Sequence, residues 1–249
     1  MSVTSTMSSR SLAAIAIVLV IFMVIIGALP DPKGLHWVAI AALMVGFIVI
    51  IGKCINGRAT GILIDERNVM SLSRFQITIW TVIIVSAYFT IASARIYSGV
   101  EDPLAIAIDW RLWALLGISS TSLVGTPLIL DSKKRKEMNV KKTGKLRSGV
   151  DADENVKGIL FVNKQIDDAK FSDMFEGDEV GNEDHVDMSK VQMFFFTIIS
   201  ALSYVVLLFN ILDTSVPTSL PILPEGLIAL MTISHGAYLT NKTVNHTST

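Results

Sequence analysis

One cysteine, Cys54, stands in 249 residues, so neither an intramolecular disulfide nor a cysteine-based metal cluster can form. Charge is scarce as well. Asp, Glu, Lys and Arg make up 17% of the chain, against roughly 25% in ordinary soluble domains, and the net charge is -1. With no global basic or acidic surplus, neither nucleic acid nor an acidic substrate is indicated as a partner. Chemical fingerprints are missing too: there is no Walker loop, HExxH, GxSxG or dinucleotide motif. Asp65, Glu66 and Arg67 lie together, but no nucleophile–base set accompanies them. No catalytic residue, cofactor or metal ligand is therefore assigned, and an enzyme is not expected.

What the chain has instead is apolar length. Hydrophobic residues reach 51%, and reading from charge to charge delimits six uncharged stretches: 11–30, 35–52, 75–94, 112–130, 191–212 and 226–241. A hydrocarbon core about 30 Å thick takes roughly 20 apolar residues to cross, with a range near 17 to 25. Five stretches meet this; the sixth is short and carries several polar residues. The first also has features of a cleaved signal peptide, with Arg10 ahead of an apolar run and small residues near Gly27-Ala28. Its run from Leu12 to Leu29 exceeds the usual signal length, and the tight Pro30-Asp31-Pro32 turn into the next stretch predicts a retained helical hairpin.

Lys and Arg distribution orients the spans. With the N-terminus inside, 18 basic residues fall on the cytoplasmic side and three (Lys33, Arg95 and Arg111) on the other. The expected fold is thus an all-α membrane protein with six transmembrane helices and both termini in the cytoplasm. It divides into an N-terminal hairpin (1–56), a linker with a second hairpin (57–130), a charged cytoplasmic segment (131–190), and a third hairpin with a short tail (191–249).

The second and third hairpins resemble each other. Ser73-Arg74-Phe75-Gln76 aligns with Ser189-Lys190-Val191-Gln192 at an offset of 116, where Thr81 also matches Thr197 and Tyr88 matches Tyr204. In the return helices, Ala114 to Ser119 aligns with Ala229 to Ser234 at an offset of 115. Both hairpins would run in–out–in, which makes this a parallel repeat about an axis along the membrane normal.

Segments such as Gly61 to Asn68, Ser71 to Gln76, Leu115 to Ser119, Asp173 to Gly177, Lys190 to Phe194 and Ile233 to Leu239 resemble those of a family of predicted bacterial multi-pass inner-membrane proteins. The resemblance covers roughly residues 60 to 242 and leaves out the first hairpin. It implies a bacterial inner-membrane setting and carries no activity.

No Asp, Glu, Lys or Arg lies inside the six stretches, which disfavours proton-coupled transport or voltage sensing, since both place charge at membrane depth. His235 is the deepest ionisable residue, with His36 more peripheral. Neutral polar residues do recur at helical spacing. Ser119, Ser122 and Thr126 form one stripe, Thr197, Ser200 and Tyr204 another, and Thr78, Thr81 and Tyr88 a third. The serines and threonines of these stripes, with Gln76, Gln192, Ser234 and His235, form a candidate polar path. The same hydroxyls equally suit interhelical hydrogen bonds, and Gly117 and Gly125 beside the first stripe suit close packing. Gln76 and Gln192 hold matching first-turn positions. They are either interfacial anchors beside snorkelling Arg74 and Lys190, or a paired constriction, with Ser73 and Ser189 as helix caps.

The 131–190 segment divides by charge, +6 over residues 131–150 and -8 over 151–190. Lys133, Lys134, Arg135 and Lys136 form a basic cluster expected to set topology and face anionic lipid. The acidic half holds Gly158 to Val162 as a short strand, and Phe171, Met174 and Phe175 as residues that would dock on a helix or partner. Val180 interrupts the alternating ligands that an EF-hand calcium loop needs between Glu176 and Asp187. Two sequons, at Asn241 and Asn245, fall on the cytoplasmic side, where no glycosylation occurs. Two functions remain open. A non-enzymatic channel or transport component, with its path between the paired hairpins or at a homo-oligomer interface, follows from the polar stripes and matched glutamines. A membrane scaffold or sensor, whose 131–190 segment binds a soluble cytoplasmic partner, is the alternative.

Overall fold

Long apolar runs with no interior charge leave the backbone one way to satisfy its hydrogen bonds in lipid, the α-helix. A computed structural model describes residues 9–30, 33–136 and 152–247. The Pro30-Asp31-Pro32 turn lies partly outside them, and Lys141, Lys142, Lys145 and Arg147 wholly so. The long helices are α1 (Ser9–Ala28), α2 (Lys33–Asn56), α3 (Leu72–Tyr97), α4 (Trp110–Lys134), α6 (Met188–Thr214) and α7 (Glu225–Thr243), with a four-residue α5 (Ala152–Asn155) between the fourth and fifth. Five of them, α1 to α4 and α6, are long and apolar enough to cross a membrane; α7 falls short on composition.

Their surfaces are inverted relative to a soluble bundle. On α6, Phe195, Ile199, Leu202 and Val206 share one face and are each more than half exposed, while Thr197, Ser200 and Tyr204 are buried on the opposite face. A continuous apolar face of this kind matches lipid, and the hydroxyls turn inward, Thr197 to Gln76 of α3 and Tyr204 to the Pro221 carbonyl. The low apolar content of α7 has the same origin. Ser234, His235 and Tyr238, which dilute its hydropathy, all lie buried.

The chain falls into two compact units: Met1–Ile62, Thr78–Ala114 and Ile199–Glu225 form the first, and Leu63–Ile77, Leu115–Ile198 and Gly226–Thr249 the second. In the first, α1 and α2 pack as a hairpin. Gly27 fits against Ser93 because it lacks a Cβ, and Gly34 against Phe209. Trp37 Nε1 donates to Ser86 Oγ at 2.8 Å. Trp80 meets Tyr204 edge-on, and the Tyr204 hydroxyl donates to the Pro221 carbonyl at 3.2 Å. The connecting loops pair through Ala107 and Leu220, and Arg111 bonds Glu225 at 2.5 Å.

In the second unit, residues 152–190 fold. Strands β1 (Val156–Lys157) and β2 (Leu160–Phe161) make a minimal antiparallel hairpin around Gly158, shorter than the strand expected over 158–162. Gly158 has φ +63, and a Cβ there would strike the carbonyls of Lys133 and Lys134 at the end of α4. Two 3-10 turns follow, Ile166–Asp168 and Phe171–Met174. The Asp173 carboxylate accepts from the backbone N–H groups of Lys170 and Met70, at 2.8 and 3.1 Å. Met174 enters a core with Ile64, Met70, Leu72, Met193 and Tyr238, while Phe171 and Phe175 pack edge-on to Phe194 and Phe75 stacks on the same ring. The docking expected of Phe171, Met174 and Phe175 is therefore onto this chain's own helices.

Candidate functional site

Asp178 is the centre of the second unit. Its buried carboxylate accepts from Lys242 Nζ at 2.7 Å, pairs with Arg67 Nη2 at 2.9 Å and bonds Lys190 Nζ at 3.1 Å. These cations come from three places: the loop before α3, the first turn of α6 and the last turn of α7. A cation in the first turn of a helix faces the positive end of the helix dipole, and Lys190 is tolerated there because Asp178 opposes it. Arg67 is held further by Asp65, which accepts from Nε and Nη2 at 3.2 and 3.1 Å. Lys242 also lies over the Tyr238 ring and donates to its hydroxyl at 3.0 Å. Burial alone would raise the Asp178 carboxyl, but Lys190, Lys242 and Arg67 outweigh it and hold the group well below the usual carboxylate range. Burial likewise opposes charge on Arg67, yet Asp65 and Asp178 raise its guanidinium further.

The neighbouring residue repeats the device. Glu179 bonds Lys133 Nζ at 2.5 Å and accepts the backbone N–H groups of His246 and Thr247 at 2.9 and 2.6 Å. Lys133 donates in addition to the Val244 carbonyl at 2.8 Å. Through this pair of acids, residues 152–190 are tied to the ends of α4, α6 and α7 and to the tail.

Above the charges lie hydroxyls. Ser73, Thr126 and Tyr238 form a triangle with oxygen separations of 3.2, 3.3 and 3.3 Å. Further along α3, Gln76 Nε2 bonds Thr197 Oγ1 and lies 3.3 Å from His235 Nε2, while His235 Nδ1 is 2.7 Å from Ser122 Oγ. Thr197 spends its own proton on the Met193 carbonyl at 2.8 Å, so the amide must be the donor. An amide donating to Nε2 requires a neutral ring carrying its proton on Nδ1, directed at Ser122. These bonds join α3 to α4, α6 and α7.

Of the predicted polar residues, the second unit brings together Gln76, Ser122, Thr126, Thr197 and His235. Ser119 and Ser234, at matched positions, are both fully buried with hydroxyls that have no hydrogen-bond partner among the described residues. Ser200 is buried in the first unit. Thr78 is half-buried, whereas Thr81 and Gln192 are exposed. Gln192 therefore does not share the buried setting of Gln76. Ser73 and Ser189 do not act as caps. Ser73 lies within α3, and it is Asp187 that caps α6, accepting the Ser189 N–H at 2.9 Å. Lys190, expected to snorkel, is instead drawn inward by Asp178.

The basic cluster also separates. Lys133 is only 2% exposed because Glu179 compensates its charge, which removes it from any lipid face. Lys134 pairs with Glu66 at 3.0 Å, Arg135 with Asp131 at 2.5 Å, and Lys136 bonds Asn245 Oδ1 at 2.8 Å. Asp178, Glu179 and Arg67 were not singled out by pattern. The available signal was Val180, an apolar residue beside two acids, which marks a turn facing inward. The chain matches no protein-family model, no curated protein and no solved structure.

Proposed function

We propose that this chain is a non-enzymatic membrane scaffold or sensor subunit of a bacterial inner membrane, with six spans, both termini in the cytoplasm, and residues 152–190 as a platform for a soluble partner. One observation carries the reading. A single buried carboxylate, Asp178, ties the folded 152–190 segment to the ends of two helices and to the loop preceding a third, so a load on the segment bears directly on the helices. Phe171, Val186 and Met188 leave large apolar surface exposed on that segment, which suits a protein partner. α7 counts as a span in this reading because 19 residues at 1.5 Å rise reach about 28 Å, and its Ser234, His235, Tyr238 and Lys242 are buried.

The polar stripes fit packing. Where the rival channel reading needs hydroxyls facing water, Ser73, Thr126, Tyr238, Gln76, Thr197, Ser122 and His235 bond one another. Reporter fusions at Lys145 and the C-terminus are expected on the cytoplasmic side and a fusion at Glu101 on the other, and purified protein in liposomes is expected to pass no ions. A periplasmic signal at Lys145 would remove the platform from its partner. Robust flux would put the channel reading ahead.

A further inference from the structure

We propose that the cavity between the 65–74 loop and the last turns of α4 binds the headgroup of an anionic phospholipid, with Arg74 and Lys134 as its phosphate ligands; this rests on the reading that α4 spans the membrane. The cavity measures ≈ 290 Å³ and is lined by Asp65, Glu66, Arg67, Ser71, Arg74, Leu123, Thr126, Pro127, Leu130 and Lys134. That is near the lower edge of small-molecule sites, about 300 Å³, and suits a headgroup with its first carbons better than a whole lipid.

The lining is divided by chemistry. Leu123, Pro127 and Leu130 come from the uncharged run of α4, which ends at Asp131. At the charged end Arg67, Arg74 and Lys134 supply three cations, and Asp65 and Glu66 two carboxylates, the first paired with Arg67 and the second with Lys134. An apolar wall meeting basic side chains where a helix leaves the bilayer fits an amphiphile whose head is anionic. Pro127 lies inside α4 and has no N–H to return to the Leu123 carbonyl.

The charges differ in how firmly they are engaged. Arg67 is buried and fixed by Asp65 and Asp178, so it lends field and shape more than direct ligation. Lys134 is held by Glu66, whose side chain is 76% exposed. An exposed pair of this kind is worth little and yields to a better anion. A phosphate at Lys134 would displace Glu66 into solvent and gain the field of Arg67 and the guanidinium of Arg74.

The test uses the full chain in phosphatidylcholine nanodiscs containing phosphatidylglycerol, with retained lipid read by native mass spectrometry. Arg74→Gln and Lys134→Gln are each expected to lower phosphatidylglycerol retention about fivefold, the effect of one basic residue near an anionic membrane. Arg135→Gln removes an equal charge beside the cavity but outside its lining and should change nothing. Leu123→Trp, which fills the apolar half, should weaken retention with every charge intact. Equal losses from Arg135→Gln and Lys134→Gln would reduce the site to diffuse surface attraction and overturn the proposal. Displacement of the lipid by soluble glycerol phosphate at comparable concentration would overturn it in favour of a soluble phosphate ester. Carbonate extraction of the same variants reads membrane insertion separately, so a failure of the spanning model and a failure of the lipid site give different results.

Discussion

Replacing Asp178 by Asn tests the coupling most directly, because the substitution preserves shape and removes only charge. In the native protein three buried cations surround that carboxylate at 2.7, 2.9 and 3.1 Å. Without it, Asp65 alone remains to balance Arg67, Lys190 and Lys242, and it contacts only Arg67. Stranding a buried charge by deleting its partner costs about 3–5 kcal/mol. The upper half of that range applies here, since one deletion strands two lysines with no other carboxylate within bonding distance among the described residues. At 1.4 kcal/mol per tenfold, about 4 kcal/mol raises the open population of the 152–190 segment by roughly a thousandfold. Limited proteolysis in detergent reads that population when closing outpaces cleavage. Asp184→Asn, which removes an exposed carboxylate from the same segment, is the control and should leave cleavage unchanged. A carboxyl held below its ordinary value contributes stability that is complete above about pH 4 and declines as pH falls through the folded value. The Asp178 contribution should therefore be constant from about pH 5 to 8 and begin to fail only in stronger acid. Native-like protection in Asp178→Asn, or release of the wild-type segment near neutral pH through this carboxylate, would refute the reasoning.

Gly158→Ala should detach the β1–β2 hairpin from the end of α4, since it combines a positive φ with a clash against two carbonyls; new cleavage at 155–162 with intact helices would show it. Ser122→Leu should lower thermal stability by about 1–3 kcal/mol through overpacking beside His235, measured by melting in detergent, whereas a channel would lose flux and keep its stability. Ser86→Leu should loosen α1 and α2 by leaving the buried Trp37 indole N–H without an acceptor, and faster hydrogen exchange across Lys33–Asn56 would report it.

The helices were legible because lipid imposes a simple rule, uninterrupted apolar length, and the charges that break it mark the ends of α2, α4 and α6 to within a few residues. The inward stripe of α4 was legible for the same reason that Ser119, Ser122 and Thr126 stand out: hydroxyls at i, i+3 and i+7 share one face. What they do there was not legible. A stripe has the same spacing whether it meets water or another helix, and only the bonds from Thr126 to Tyr238 and from Ser122 to His235 distinguish the two. The charge cluster was hidden more completely. Arg67, Asp178, Lys190 and Lys242 are far apart in sequence and lie in segments that read as solvated loops or snorkelling anchors. Net charge by segment cannot show that one acid in an acidic stretch is turned inward while Asp184 beside it stays in water.

The two hairpins that resemble each other in sequence differ in their surroundings. At the offset of 116, Ser86, Thr90 and Ser93 of α3 correspond to Leu202, Val206 and Phe209 of α6. The three hydroxyl residues are buried, and two have a direct reason within the first unit: Ser86 accepts from Trp37 of α2, and Ser93 touches Gly27 of α1. Leu202 and Val206 remain exposed. Ser86 and Ser93 thus stand where another helix meets α3, while the exposed counterparts Leu202 and Val206 are apolar, as lipid requires. Under the duplication reading, matched positions of the two hairpins meet different neighbours: Ser93 of α3 lies against Gly27 of α1, and its counterpart Phe209 of α6 against Gly34 of α2. Thr81 lies exposed while its counterpart Thr197 bonds Gln76, and Gln192 lacks the buried setting of Gln76. Ser119 and Ser234, on the return helices α4 and α7, are alike in burial.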